Sequence, residues 1–233
     1  MTLCGWCGRP WQVKITFSQL CSLQRRRPET LCPDCRSQFA PVATNTAQCP
    51  GCGRLGDTHL CPECQLWHTR MPWQKGREYY LFGYHSLMQT YFERYKRQGD
   101  VRLAPLFQYD LANWWRTRHS LYDAVIPVPG DPKRSLQRGF EPVIQLIGDV
   151  FPLTLALAKT VTTPEQAQLN RHDRLTQPQP FRWQPCRGVN GHQWRRILIV
   201  DDIYTTGATL HQAMHVIHQA GVAAAMDSWT LAR

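Results

Sequence analysis

The chain has 233 residues and a formal net charge of +10. This length suits one large domain, or a domain with a small module. No apolar run approaches the ~18 residues that a membrane-spanning helix needs, so no transmembrane segment is expected. Of the 27 basic residues, 22 are arginines, and the planar guanidinium binds phosphate in a bidentate manner. Phosphorylated ligands or nucleic acid are therefore the expected partners.

The first residues lack the basic segment and apolar run of a signal peptide, which predicts a cytoplasmic protein with reduced thiols. Eight of the ten cysteines nevertheless form four Cys-x-x-Cys pairs: Cys4/Cys7, Cys32/Cys35, Cys49/Cys52 and Cys61/Cys64. Each pair places two thiolates on one turn, and two such pairs complete a tetrahedral Cys₄ zinc site. The sequence thus predicts a zinc-binding module over residues 1–72, holding about two Zn²⁺.

The spacing leaves the combination of pairs open. A sequential arrangement joins the first two pairs in one site and the last two in another, whereas an interleaved arrangement joins the first pair with the third. One site could also be degenerate. Cys21 and Cys186 are expected to be ordinary residues. The three arginines at 25–27 either contact nucleic-acid backbone or are solvated.

A connecting region is predicted over residues 73–121. Residues 79–84 are rich in strand-forming types, and apolar residues at helical spacing follow from His85 to a stop at Gly99. A second helix is expected from about Arg102 to Arg118. Its neighbouring tryptophans, Trp114 and Trp115, either pack into the core, the favoured alternative, or form an aromatic surface for bases.

Strands alternate with helices over the rest of the chain, which predicts an α/β fold with a parallel sheet flanked by helices. A short strand at residues 124–129 ends in a loop followed by Lys133, Arg134 and Arg138. A helix is expected at about 140–151 and a strand at 153–158. The polar segment 159–183 is expected to form a flap over the site.

The most informative stretch lies at residues 197–209. Four apolar residues, 197–200, predict a strand buried on both faces, and Asp201 and Asp202 follow at its end. The next loop carries small and hydroxylated residues: Thr205, Thr206, Gly207, Ala208 and Thr209. Because this loop opens a helix, its N–H groups and the helix dipole suit a phosphate, while the two acids suit sugar hydroxyls or Mg²⁺.

The helix after this loop is predicted to point Leu210, Met214 and Ile217 inward, and residues 226–231 form the last strand. Histidines 211, 215 and 218 recur along the same helix. They either bind a metal or, the favoured alternative, lie on a solvated flank of the helix.

The order apolar strand, two acids, Thr-Thr-Gly-x-Thr resembles the phosphoribosyl-pyrophosphate (PRPP) loop of type I phosphoribosyltransferases. The cysteine pairs, residues 96–100, residues 126–129 and residues 138–140 extend the resemblance to the ComF family of competence-associated, phosphoribosyltransferase-like proteins, which includes GntX-type proteins. Residues Thr163, Gln166, Leu169, Arg174 and Phe181 also match that family's spacing. Departures are Glu141-Pro142, where Asn-Gln is usual, and Gln177, where Asn is usual.

The resemblance implies a type I phosphoribosyltransferase-like sheet behind a zinc-ribbon module. It implies that residues 205–209 hold the 5-phosphate of PRPP and that Asp201 and Asp202 hold the ribose with Mg²⁺. The pyrophosphate would lie on Pro127, Val128 and Pro129, near Lys133, Arg134 or Arg138.

Three functions are compatible with this sequence. The first is a cytoplasmic PRPP-binding protein in the uptake or use of external DNA, whose zinc module contacts single-stranded DNA or a DNA-uptake protein. The second is a phosphoribosyltransferase in nucleobase salvage that releases pyrophosphate. The third is a nucleic-acid-binding protein with a vestigial PRPP site, which the intact loop disfavours.

Overall fold

A computed structural model describes residues 2–13, 28–39, 47–73, 76–160, 179–184, 193–222 and 224–233. The predictions for residues 25–27, for Cys21 and Cys186 and for most of segment 159–183 fall outside these ranges.

The described residues form the following strands: β1 (Thr2–Leu3), β2 (Pro10–Trp11), β3 (Glu78–Phe82), β4 (Ala124–Pro127), β5 (Leu157–Lys159), β6 (Phe181–Trp183), β7 (Arg196–Ile203) and β8 (Ala225–Ala232). The α-helices among them are α1 (Pro33–Gln38), α2 (Pro62–Arg70), α3 (Ser86–Phe92), α4 (Gln108–Arg116), α5 (Pro132–Arg138), α6 (Pro142–Ile147) and α7 (Ala208–Gln219). A π-helical turn, Glu93–Arg97, extends α3, and 3₁₀ helices occupy Val101–Phe107 and His119–Leu121.

The central sheet has four parallel strands in the order β3-β8-β7-β4. Strand β7 lies between β8 and β4, and its residues 197–200 are fully buried. This arrangement confirms the predicted parallel sheet flanked by helices. It also places the ends of β4 and β7 side by side, since Pro127 pairs with Val200.

Two apolar cores pack on the two faces of this sheet. Leu198 and Val200 point into one core, whereas Ile197 and Ile199 point into the other, as the two-residue period of a strand requires. Trp114 and Trp115 are partly buried and pack against the first core, in agreement with the core alternative.

Several predicted boundaries differ in the structure. The helix expected from Arg102 is a 3₁₀ segment followed by α4, because Pro105 lacks the N–H that an α-helix interior needs. The helix expected at 140–151 is shorter, spanning Pro142–Ile147. The strand expected at 153–158 is β5, preceded by an isolated parallel bridge between Leu153 and Val125.

Helix α5 was not predicted, although its sequence signals are present. Asp131 caps it by accepting hydrogen bonds from the N–H groups of Lys133 (3.0 Å) and Arg134 (3.2 Å). Pro132 occupies the first turn, where a missing N–H costs nothing. Among the helices described, none has the length and apolar composition that crossing a membrane requires.

Candidate functional site

The four cysteine pairs form two separate clusters. Cys4, Cys7, Cys32 and Cys35 make one, and Cys49, Cys52, Cys61 and Cys64 make the other; the four sulfurs of each cluster lie within 4.8 Å of one another. The sequential pairing is thereby confirmed, and the interleaved one is wrong. Seven of the eight cysteines are buried, and Cys7 is the exposed one.

The two clusters are built as a structural repeat. In each, the first pair is followed by Gly-Arg, and the second lies in a Leu-Cys-Pro-acid-Cys segment. Gly8 and Gly53 have φ values of +72° and +69°, and each donates its N–H to the carbonyl of the first cysteine of its pair. The second pairs stand at the starts of α1 and α2. The repeat is visible in the sequence but was not recognised there.

The geometry of both clusters fits zinc. Tetrahedral coordination with Zn–S bonds of ~2.3 Å separates neighbouring sulfurs by about 3.8 Å. The Sγ atoms of Cys7 and Cys32 are 3.9 Å apart, and those of Cys52 and Cys61 are 3.6 Å apart. Hydrogen bonding from the Cys64 thiol, helped by the Arg233 guanidinium, lowers the pKa of Cys52 to about 5, which favours the thiolate that a metal needs.

A cleft of about 840 Å³ opens at the carboxyl ends of β4 and β7. In parallel sheets this edge is where ligands bind. Five cationic and five acidic side chains line it. The cations are Lys96, Arg97, Arg134, Arg138 and Lys159, and the acids are Glu93, Asp131, Glu141, Asp201 and Asp202.

The segment from the end of β7 to the first residue of α7, residues 204–208, which we call the anion loop, lines the cleft at Thr205. Gly207 has φ +77° at the helix start. Within the described ranges, the N–H groups of Thr205, Thr206 and Gly207 donate to no protein acceptor. These N–H groups lie at the positive end of the α7 dipole, which favours an anion, and Thr205 is the one of the three residues that lines the cleft.

The cleft floor carries the two adjacent acids at the end of β7. Asp202 is buried and forms an ion pair with Lys96. Asp201 accepts a hydrogen bond from the N–H of Asp202 at 2.8 Å. It is partly exposed to the cleft, yet desolvation and the neighbouring Asp202 carboxylate raise its pKa well above the ordinary value. The pair thus forms a compact acidic floor.

The opposite wall is the loop from β4 to α5. Its Val128, Pro129 and Gly130 line the cleft, and Glu141 holds it by accepting the Gly130 N–H at 3.0 Å. Burial raises the pKa of Glu141. Burial likewise lowers the pKa of Lys159. Both shifts reflect the burial of these side chains in the cleft walls, where electrostatic interactions are stronger than in water.

The structure brings most of the predicted site residues into this one cleft. Those that line it are Asp201, Asp202, Thr205, Thr209, Val128, Pro129, Arg134 and Arg138. Those that do not line it are Pro127, Lys133, Thr206, Gly207 and Ala208. Thr206 and Ala208 belong to the anion loop but are buried. Of the two adjacent basic residues Lys133 and Arg134, Arg134 lines the cleft and Lys133 does not.

Lys96 and Arg97 were not among the predicted site residues. They lie on the π-helical turn after α3, which forms a third wall of the cleft. Such turns are frequent at functional sites. Arg138 donates from Nε to the carbonyl of Lys96 at 2.6 Å and so joins this wall to α5. The only sequence signal was the family-like segment 96–100.

The histidines of α7 are not a solvated flank throughout, so that expectation is wrong for His211. This residue is buried, stacks on Trp67 with ring centroids 4.5 Å apart, and has Nε2 3.3 Å from Glu78 Oε1. Only His218 is exposed, and it stacks on Trp73 at 3.9 Å. Among the described residues, the histidines belong to no metal-ligand cluster.

Together these features define an α/β protein with a charged cleft at the edge of a parallel sheet and two tetracysteine clusters. The chain is 31% identical to Competence protein ComFC of Streptococcus pneumoniae over 218 residues, or 94% of each chain. It is 27% identical to Competence protein ComFC of Bacillus subtilis over 239 aligned positions, covering 99% of this chain and 95% of that one. The chain belongs to the ComF family. No protein-family model matches it.

Proposed function

We propose that this protein binds PRPP with Mg²⁺ in the cleft and acts in the cytoplasm in a competence-related process, the uptake or use of external DNA. The observation that supports PRPP as the ligand is that the anion loop and two adjacent acids lie side by side at one edge of the cleft. The loop N–H groups that have no acceptor in the described part of the chain suit a monophosphate, and the acids suit hydroxyls beside it.

In this proposal each wall binds one part of the ligand. The anion loop and Thr209 hold the 5-phosphate, and Asp201 and Asp202 hold the ribose hydroxyls. Residues 127–129, Arg134 and Arg138 lie at the pyrophosphate. Mg²⁺, an ion that prefers oxygen ligands, would be held by the ligand's oxygens and these carboxylates and would offset pyrophosphate charge.

The alternative is a phosphoribosyltransferase in nucleobase salvage. A nitrogen nucleophile would displace pyrophosphate from C1 of PRPP, and the acidic floor would stabilise the positive charge that develops on the ribose. One observation favours it: the rings of Tyr84 and Phe92, with centroids 6.2 Å apart, line the cleft. Aromatic faces suit a flat nitrogen base.

The role in DNA handling rests on the relatives, which are named competence proteins, and on the basic, Arg-rich composition. The part proposed to contact single-stranded DNA or a DNA-uptake protein is the zinc-binding region, residues 1–72. If it binds DNA, the affinity should fall steeply with salt concentration, because phosphate contacts release counterions.

Calorimetric titration with Mg–PRPP tests the ligand. We expect saturable binding to the wild type and at least a tenfold loss in Asp202→Asn. Asp123→Asn is the matched control: Asp123 is exposed at the other end of the sheet, where it accepts the N–H groups of Arg195 and Arg196. Absence of binding to the wild type would refute both PRPP functions.

A second assay separates binding from turnover. The protein is incubated with Mg–PRPP and a panel of nucleobases, and pyrophosphate release is measured. Release that depends on one base would establish the salvage alternative, whereas binding without release supports the accessory function.

A further inference from the structure

The helix that begins at the second cysteine cluster reaches the anion loop from behind. Trp67, on α2, donates its indole Nε1–H to the carbonyl of Thr206 at 2.9 Å. Its ring stacks on His211 of α7, and it packs with Met71 and Ala208 in a small buried cluster. Trp67 is 5% exposed, so this contact is shielded from water and does not touch the cleft itself.

This hydrogen bond fixes the peptide unit in the middle of the loop. The unit is planar and trans, so its C=O and N–H point in opposite directions. Holding the Thr206 carbonyl on the Trp67 side therefore turns the Gly207 N–H away from Trp67. That N–H is one of the groups that donate to no acceptor among the described residues. Trp67 thus fixes the orientation of a loop N–H although Trp67 itself does not line the cleft.

The same cysteine cluster also holds the start of the loop. Arg233 donates from its guanidinium to Cys52 Sγ and lies 4.9 Å from the ring centroid of Tyr204. The N–H of Tyr204 is in turn bonded to the carbonyl of Ala232 at 2.9 Å. One pair of the cluster therefore reaches the entry to the loop through Arg233, and the helix from the other pair contacts the centre of the loop.

We propose that Trp67 is a positioning residue for the anion loop, and that through α2 the second Cys₄ cluster sets how tightly this loop holds a phosphate. The proposal rests on the proposed function for the identity of the ligand. It rests on the contacts above for the coupling. Groups behind a binding loop commonly fix its geometry in this way.

The test compares Trp67→Phe with Trp73→Phe. The first keeps an aromatic ring beside His211 and removes the N–H donor together with one ring of the indole. The second makes the same change where Trp73 stacks on His218 at the far end of α7. Losing one hydrogen bond to the loop should weaken binding of ribose 5-phosphate about three- to tenfold in Trp67→Phe. Mg–pyrophosphate, placed on the opposite wall, should bind within twofold of wild type, as should both ligands to Trp73→Phe.

Unchanged binding of ribose 5-phosphate to Trp67→Phe would overturn the proposal. Equal weakening of both ligands would also overturn it, because a general loss of structure does not discriminate between the walls.

Amide hydrogen exchange without ligand keeps the coupling testable if PRPP does not bind. The N–H groups of Tyr204, Ala208 and His211, which form hydrogen bonds that hold the loop, should exchange about three- to tenfold faster in Trp67→Phe than in wild type or Trp73→Phe. Faster exchange with no PRPP binding to wild type would refute the proposed function and retain the positioning role. Unchanged exchange would overturn the positioning role whatever the ligand.

Discussion

At the scale of single residues, Gly207 decides whether the anion loop keeps its shape. Its φ of +77° is rarely adopted by other residues, and a Cβ there would meet the ring and hydroxyl of Tyr204. We predict that Gly207→Ala costs about 1–3 kcal/mol of stability through backbone strain. It should also weaken Mg–PRPP binding at least about tenfold, because either Tyr204 or the loop must move. Thermal unfolding and calorimetry measure the two effects.

The variant Gly56→Ala is the control that separates the effect of backbone strain from the effect of displacing Tyr204. Gly56 has φ +87°, but a Cβ there would meet nothing within 4 Å, and the residue lies outside the cleft. The Gly56→Ala variant should be destabilised by backbone strain alone and should bind Mg–PRPP as tightly as the wild type does. Comparable loss of binding in both variants would mean that the Tyr204 contact does not shape the loop.

Residue-scale sequence reasoning found the acids and threonines because they follow one another within 13 positions of a strand–loop–helix pattern. It did not find Trp67, whose partner Thr206 is 139 positions away. It also placed His211 on a solvated flank, since the sequence does not reveal which element covers that side of α7. Contacts between distant segments depend on the tertiary fold, and no local pattern encodes them.

At the scale of elements, the two cysteine clusters behave as separate copies of one motif. We predict that Cys35→Ser and Cys64→Ser, which change equivalent positions of the repeat, each lower the zinc content from about two to about one per chain. Each cluster has its own four ligands, and a structural zinc supplies on the order of 10 kcal/mol to the segment it folds. Elemental analysis of the purified variants measures the content.

Loss of both zinc ions from either variant would contradict this independence. It would show that the clusters fold as one cooperative unit despite their separate ligand sets. Circular dichroism on the same samples distinguishes local metal loss from unfolding of the whole chain.

Helices and strands were predicted correctly where apolar residues recur at a regular helical or strand spacing. They were missed or misplaced where a proline interrupts that spacing or where the element is too short to show it. Strand β7 and helix α7 have uniform apolar patterns, and both lie where expected. The helix expected from Arg102 was interrupted by a proline. Helix α5 was missed because its seven residues present no buried face, although Asp131 and Pro132 mark its start. Short elements stabilised by caps leave little apolar period to detect.

At the scale of the whole molecule, the two clusters lie behind different walls of the cleft. The first belongs to the core that contains α3. In that core Arg94 lies over the Trp6 ring at 4.7 Å, and Thr30 donates to the Leu106 carbonyl at 2.7 Å. The second belongs to the core behind the anion loop. Residues 1–72 therefore contribute to both cores of the sheet, and their treatment as a separate domain stays a prediction.

The contacts between the second cluster and the anion loop predict that a bound phosphate changes the zinc affinity of that cluster. If the second cluster raises the affinity of the loop for a phosphate, then the phosphate must raise the affinity of that cluster for zinc by the same factor. Cys35→Ser retains the second cluster alone, and Cys64→Ser retains the first. Ribose 5-phosphate is the suitable ligand, because it lacks the pyrophosphate that would itself bind zinc.

We predict that saturating ribose 5-phosphate increases zinc retention by Cys35→Ser about three- to tenfold in equilibrium competition with a chromogenic chelator, the range expected for one hydrogen bond. Retention by Cys64→Ser should change less, since the described residues around the first cluster pack against the core that contains α3 and form no hydrogen bond to the anion loop. Adding Trp67→Phe to Cys35→Ser should abolish the increase, because the ligand and the metal then lose their shared contact. An increase that survives this substitution would place the coupling in the Arg233–Tyr204 contact, and equal increases in both cysteine variants would assign it to general stabilisation of the fold by ligand.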